Sequence, residues 1–298
     1  MPSMSARWSV LLGLVAGLAA SGAAVGASVS TTSGRISADP AGEVAGGAKG
    51  RKGHPPRYRY MFSSESAQGV VAAHGWNLLD VSSQSSADQL PGRTRGIMYV
   101  GDYDNSTCDW GVSDLALTAQ VASMAGDPKV AGYYFSDEPD PYACPSAPRQ
   151  HRARSQLIHS LDRGKMTVMT MDSNSAQASL DQVPLWVGAA DYVGLDPYPC
   201  YQNAPCNFGW IDAIIEAADR AGLSYWGVVQ AFADTTWRWP TAREERHMLC
   251  QWANSRESGY VVFSWSWAGQ SLFNQPRLLR VLTHFNKGSA AKCRRHPR

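Results

Sequence analysis

Carboxylates recur at the ends of short apolar runs in this sequence. The run 130–135 (VAGYYF) leads into Ser136-Asp137-Glu138-Pro139-Asp140, the run 165–171 (KMTVMTM) into Asp172, and the run 191–195 (DYVGL) into Asp196-Pro197-Tyr198. Asp80 lies at the end of WNLLDV (76–81), and Glu65, Asp102 and Asp104 follow two further runs. One acid in such a place reads as the polar first residue of a loop or as a helix N-cap. Several acids gathered on one face could move protons. A carboxyl kept protonated by burial or by a neighbouring carboxylate is a general acid, and its ionised partner can act as base, nucleophile or counter-charge. Turn chemistry explains Asp140-Pro141 well and Glu138 poorly, because adjacent Asp137 and Glu138 repel each other when both are ionised.

For such acids to meet, the runs that carry them must lie side by side and point the same way. Eight β-rich runs can be read: RYRYMF (57–62), WNLLDV (76–81), RGIMYV (95–100), VAGYYF (130–135), KMTVMTM (165–171), DYVGL (191–195), SYWGVVQ (224–230) and GYVVFSW (259–265). Several segments between them have helical spacing. Ala153, Leu157, Ile158 and Leu161 share a face after the fourth run. Ile211, Ile214, Ile215 and Ala218 do so after the sixth, with Gly222 as a stop signal. Thr241 and Glu244 have capping-box spacing ahead of Met248, Leu249 and Trp252. The stretch 82–92 (SSQSSADQLPG) is too short and polar for a full second helix.

Strands alternating with helices predict a parallel sheet, and at this length a closed (β/α)8 barrel, the α/β TIM barrel, over 57–290. An open doubly wound sheet is the competing arrangement, but SSESAQG after the first run is not its glycine-rich turn. Barrel sites gather at the C-terminal strand ends, where the acids lie. Alternation along the fourth run predicts that Glu138, Ser136, Tyr134 and Gly132 face the axis. Phe135, Tyr133 and Ala131 then face the helices, and Asp137 points aside as a support.

The flanks read differently. Residues 1–27 have the basic Arg7, the apolar WSVLLGLVAGLAA and the small residues Val25-Gly26-Ala27 of a secretory signal peptide. Residues 28–56 are rich in Gly, Ala, Ser and Pro, which cannot bury enough surface to offset chain entropy, so a disordered linker is expected. Residues 291–298 form a basic tail. The formal charge of +2 and the absence of zinc-finger, helix-turn-helix or phosphate-loop patterns argue against a nucleic-acid partner. No stable membrane insertion is expected, since the signal's apolar run is short for a span. Six cysteines in an exported chain suggest disulfides: Cys200 with Cys206 across a short loop, Cys108 with Cys144, and Cys250 with Cys293. No metal or other cofactor is expected. Cys-x-x-Cys and His/Cys clusters are lacking, and Asp102, Asp104 and Asp109 miss the calcium-loop spacing.

The segment FSDEPD (135–140) resembles the Asn-Glu-Pro signature that ends the fourth strand in the large retaining clan of glycoside-hydrolase barrels, where the Glu is the acid/base. DYVGLDPYP (191–199) is similar to the sixth-strand segment of many sugar-active barrels, and FSWSW (263–267) to their eighth strand, whose Trp floors the sugar site. Together these motifs resemble the glycoside-hydrolase superfamily of barrels without identifying one family. Two positions depart from the clan: Asp137 replaces its Asn, and Gln230 ends the seventh run in place of its nucleophilic Glu. A chitinase-like layout is closer, although Tyr134 and Gly132 stand where its further acids would be.

The resemblance implies a secreted, monomeric glycoside hydrolase acting on a poly- or oligosaccharide. Glu138 is then the acid and Asp196 the first choice for the second carboxylate. Asp172 is the second choice, and Asp137 could share a proton with Glu138. Tyr134, Tyr198, Gln230, Trp237, Trp265, Trp267 and Asp80 are the expected substrate contacts. A carbohydrate-binding barrel without hydrolysis is the competing reading, favoured by the missing Glu of the seventh run.

Overall fold

The computed structural model describes residues 56–173, 177–288 and 293. The expected signal peptide, nearly all of the expected linker and most of the basic tail lie outside the described residues. The barrel strands are β1 (Tyr58–Met61), β2 (Leu78–Val81), β3 (Arg95–Tyr99), β4 (Val130–Asp137), β5 (Met166–Met171), β6 (Tyr192–Leu195), β7 (Tyr225–Gln230) and β8 (Gly259–Phe263). Each pairs in parallel with its neighbours, and β1 pairs with β8 to close the barrel. The expected (β/α)8 architecture is present, and the open sheet is excluded.

The helices are α1 (Gln68–Ala73), α2 (Gln84–Asp88), α3 (Asp114–Met124), α4 (Ala147–Leu161), α5 (Gln177–Gln182), α6 (Phe208–Ala221), α7 (Ala242–Ala253) and α8 (Pro276–Asn286). Their ends follow local chemistry. Thr241 and Glu244 form the reciprocal capping box at α7. Gly222 ends α6 at φ 69°, a left-handed turn that glycine adopts without steric penalty. The polar stretch after β2 makes only the five-residue α2, capped by Ser83. None of the described helices is long and apolar enough to cross a membrane.

Two apolar layers result. Between strands and helices lies a core that includes Met61, Val81, Tyr133, Met169, Val193, Trp252 and Leu282. Inside the barrel, aromatic rings stack upward along the axis. Tyr58, Tyr192 and Trp226 fill the N-terminal end, and Phe62, Tyr134 and Phe263 meet nearer the C-terminal end. The described cystines are Cys108–Cys144, Cys200–Cys206 and Cys250–Cys293, the pairings expected from the sequence.

Strand β4 is irregular, and this decides where its acids go. Tyr134 pairs with Val168 but Ser136 with the very next residue of β5, Met169, so Phe135 is an extra residue in the ladder. The strand therefore shows Tyr133, Phe135 and Ser136 to the helix layer. Tyr133 donates to Asp162, Phe135 packs on Trp110, and Ser136 bonds His151 of α4 at 2.9 Å. The expected inward orientation of Ser136 is thereby corrected. Lower in the strand, Gly132 lies where a Cβ would come within 2.2 Å of the Met166 carbonyl. Gly132→Ala is expected to force β4 and β5 apart and lower stability by about 2–3 kcal/mol in chemical denaturation; an unchanged midpoint would show that the strands adjust freely.

Candidate active site

After the bulge, alternation resumes one residue late. Asp137, rather than pointing aside, turns toward Tyr134 on the axial side and accepts its hydroxyl at 2.6 Å. Glu138 then adopts φ 45°, the left-handed region, immediately before Pro139. That conformation costs a non-glycine residue roughly 1–2 kcal/mol, and a following proline adds its own steric objection. Four hydrogen bonds surround it. Glu138 N–H donates to Thr170 O (2.9 Å), and Asp137 N–H donates to Asp102 Oδ1 (2.8 Å). The Asn105 side chain donates to Glu138 O (3.0 Å) and accepts from Asp140 N–H (2.7 Å).

This turn delivers the Glu138 carboxyl, not to bulk water, but to two other acids. Carboxylate oxygens of Glu138, Asp172 and Asp196 lie within 4.8 Å of one another. Glu138 and Asp196 are only 4% and 2% exposed, whereas Asp172 is half-buried. Asp196 is hydrogen-bonded to Glu138, and its oxygen also accepts Ser173 N–H at 2.9 Å. Burial first, then the charges of Glu138 and Asp172, hold the Asp196 carboxyl well above the usual carboxylate range. A proton retained by the raised Asp196 carboxyl is compatible with its hydrogen bond to Glu138. Three such oxygens are also the donor type that hard divalent cations take. Cys200, Cys206 and Glu244 form the second acid-and-sulfur cluster, but both sulfurs are locked in the cystine.

A second acidic layer adjoins the first. Asp102 accepts the N–H groups of Asp137 and Tyr103 on one oxygen. Burial, followed by the charge of Asp137, pushes its carboxyl up to about 7. Tyr99 is hydrogen-bonded to Asp102 and stacks on Tyr134 at 5.9 Å. Asp80, expected as a substrate contact, is partly exposed and tied to its neighbours. It accepts from the Tyr60 hydroxyl (2.5 Å) and from Ser64 N–H (2.7 Å), and burial raises it to about 6 against those bonds.

The expected aromatic contacts divide. Tyr198 is buried at the Asp196 end of β6, and its ring meets Phe232, Trp237 and Phe263 within 6.1 Å. Trp237 closes this cluster from the loop after β7, and Trp267 packs on Phe263 at 5.1 Å. Trp265 belongs to the core between barrel and helices, so Trp267 is the eighth-strand Trp beside the mouth cluster. Gln230 is fully buried: its amide accepts Cys200 N–H (3.0 Å) and donates to Arg238 O (2.8 Å) and Cys200 O (3.3 Å). It stitches the loops after β6 and β7 together. Sequence reasoning missed Tyr60, Tyr99 and Phe263 as lining, and Asn105 altogether. Strand parity could have found the first three, and nothing local marks the fourth.

No protein-family model matches the sequence, and no curated protein matches it either. The fold is similar to solved structures. Gas2 in complex with compound 10 superposes with a TM-score of 0.57 at 12% identity, covering 78% of this chain and 65% of that one. A calcium-binding mutant of Bacteroides uniformis beta-glucuronidase 2 gives 0.50 at 10% identity, covering 74% and 32%. An endo-beta-1,3-glucanase (GH128, subgroup I) from Amycolatopsis mediterranei gives 0.46 at 14% identity, covering 76% and 98%. This chain thus spans about a third of the glucuronidase and just under two thirds of Gas2. The likeness to these structures is one of fold, a closed parallel (β/α)8 barrel.

The Asp102–Asp137 pair has a thermodynamic signature. A carboxyl raised on folding binds its proton more tightly in the native state, so it favours folding below the ordinary carboxylate pKa near ~4. That contribution is lost as pH rises toward about 7. Asp102→Asn keeps the accepting oxygen and removes the charge. The variant is expected to match the parent in urea denaturation at pH 4 and to exceed it by on the order of 1 kcal/mol at pH 8. A gain of equal size at both pH values would count against charge repulsion as its source.

Proposed function

We propose that the protein is a secreted, monomeric glycoside hydrolase that cleaves a poly- or oligosaccharide at the C-terminal mouth of its barrel. The observation that carries this reading is the trio of carboxyls of Glu138, Asp196 and Asp172, with oxygens within 4.8 Å and two members buried. Glu138 protonates the leaving glycosidic oxygen, drawing on the proton that it shares with Asp196. Asp172, the most exposed of the three, faces the sugar and stabilises or attacks the developing oxocarbenium ion. So short a spacing suits a retaining course better than an inverting one, which needs roughly 6.5–9.5 Å for a water between the acids. Asp137 supports the acid by its bond to Tyr134 and by its place in the chain. Tyr198, Trp237 and Trp267 supply ring faces against which a sugar packs.

The barrel fold shared with a glucuronidase supports a carbohydrate as substrate. Export is supported by three cystines and by the composition of residues 1–27. The carbohydrate-binding reading is favoured by one observation, the use of Gln230 as a loop clamp at the end of β7.

A panel of β-glucans, mannan, chitin and uronic-acid polysaccharides, assayed by reducing-end release, tests the proposal. The parent chain is expected to cut at least one of them. Glu138→Gln should lower kcat by about 10²–10⁴-fold while the glycan is still retained on affinity electrophoresis. Asp172→Asn should lower kcat comparably. Full turnover by the Glu138 variant would remove it as the acid, and binding of a glycan that the parent never cuts would establish the non-hydrolytic barrel.

A further inference from the structure

We infer that Asn105 is the positioning residue of Glu138: its single side-chain amide braces the backbone on both sides of Pro139 and so aims the acid at Asp196. The inference rests on the proposed role of Glu138. The turn has little to hold it from within. Glu138 is left-handed at φ 45°, and Pro139 has no N–H to contribute. The carbonyl before the proline and the N–H after it are the groups that define the turn, and Asn105 engages both, at 3.0 and 2.7 Å. No acid or lysine could do this. A carboxylate cannot donate to the carbonyl, and an ammonium cannot accept from the N–H.

Asn105 is itself held from several directions. It sits in the tip of a two-stranded hairpin, Tyr103–Asp104 with Asp109–Trp110, that follows β3. Gln150 of α4 accepts the Tyr103 hydroxyl at 2.7 Å and donates to Cys108 O at 3.2 Å. The Cys108–Cys144 cystine ties the hairpin to the loop that continues from the turn. Asp102, at the hairpin's base, takes the Asp137 N–H. The loop after β3 is thus built as a splint for the end of β4, and Asn105 is its point of contact with the acid.

The test compares Asn105→Ala, which loses both bonds, with Asn105→Asp, which keeps the bond from Asp140 and loses the donor. Asn105→Gln, which retains an amide, serves as the conservative variant. On a substrate that the parent cuts, Ala and Asp are expected to lower kcat by about 10–100-fold, with KM changed less than about twofold, and Gln to recover part of the loss. Melting temperatures should stay within a few degrees. The second readout needs no turnover: ¹³C-carboxyl NMR titration of Glu138 and Asp196, which titrate against Asp137 and Asp172 as neighbours. The parent should show two coupled steps, and the Ala and Asp variants should move toward independent ones. Parent-like titration in both variants overturns the inference, as does parent-like kcat. If the parent cuts no glycan, the hydrolase reading fails, while the titration still decides whether Asn105 sets the geometry of the pair.

Discussion

Two carboxyl groups almost without solvent can touch only if they hold a proton between them, and the contact of Glu138 with Asp196 imposes that condition on this barrel. Separately, each would ionise in water. Burial, then the neighbouring charges of Glu138 and Asp172, hold the Asp196 carboxyl well above the usual carboxylate range. Everything nearby serves to keep them together. The bulge at Phe135 shifts the strand by one residue, and the left-handed turn swings Glu138 across despite the steric objection of Pro139.

The surrounding acids are made tolerable by phenols. Tyr60 donates to Asp80, and Tyr134 to Asp137, while Tyr99 is bonded to Asp102. A buried carboxylate without water needs donors of this kind, and tyrosine brings a donor on an apolar ring that also fills space. The barrel interior is therefore aromatic for two reasons at once. Its rings pack the axis, and their hydroxyls solvate a layer of charge. Burial first, then the charge of Asp80 and its hydrogen bond, hold the Tyr60 phenol well above its ordinary range, so it stays a donor.

Much of this was legible beforehand. Apolar runs of strand length at regular spacing, with helical periodicity between them, imply the barrel, and acids at run ends imply the mouth. Among fifteen possible connectivities, loop adjacency in a barrel suggests Cys108 with Cys144 and Cys200 with Cys206, and Cys250 with Cys293 is the pair that remains. Illegible were the features set by a single residue's backbone. Alternation predicted Ser136 inside and Asp137 aside, and one extra residue in β4 reversed both, because a strand's period of two converts any insertion into a change of face. Trp265 and Trp267 were indistinguishable in sequence, since the turn after Phe263 decides which ring meets the mouth. Gln230 looked like a substitute for a lost acid, and only its three backbone partners reveal a different task.

That task limits what this scaffold can become. The Gln230 side chain lies between one N–H and two carbonyls, a setting that a carboxylate can satisfy on one side only and must oppose on the other. A glutamate at this strand end would thus not convert the chain to a two-glutamate machine. It would more readily unseat the loop bearing Trp237 and the segment bearing Tyr198. A change of chemistry here would have to rebuild two loops together, because one side chain holds both in place.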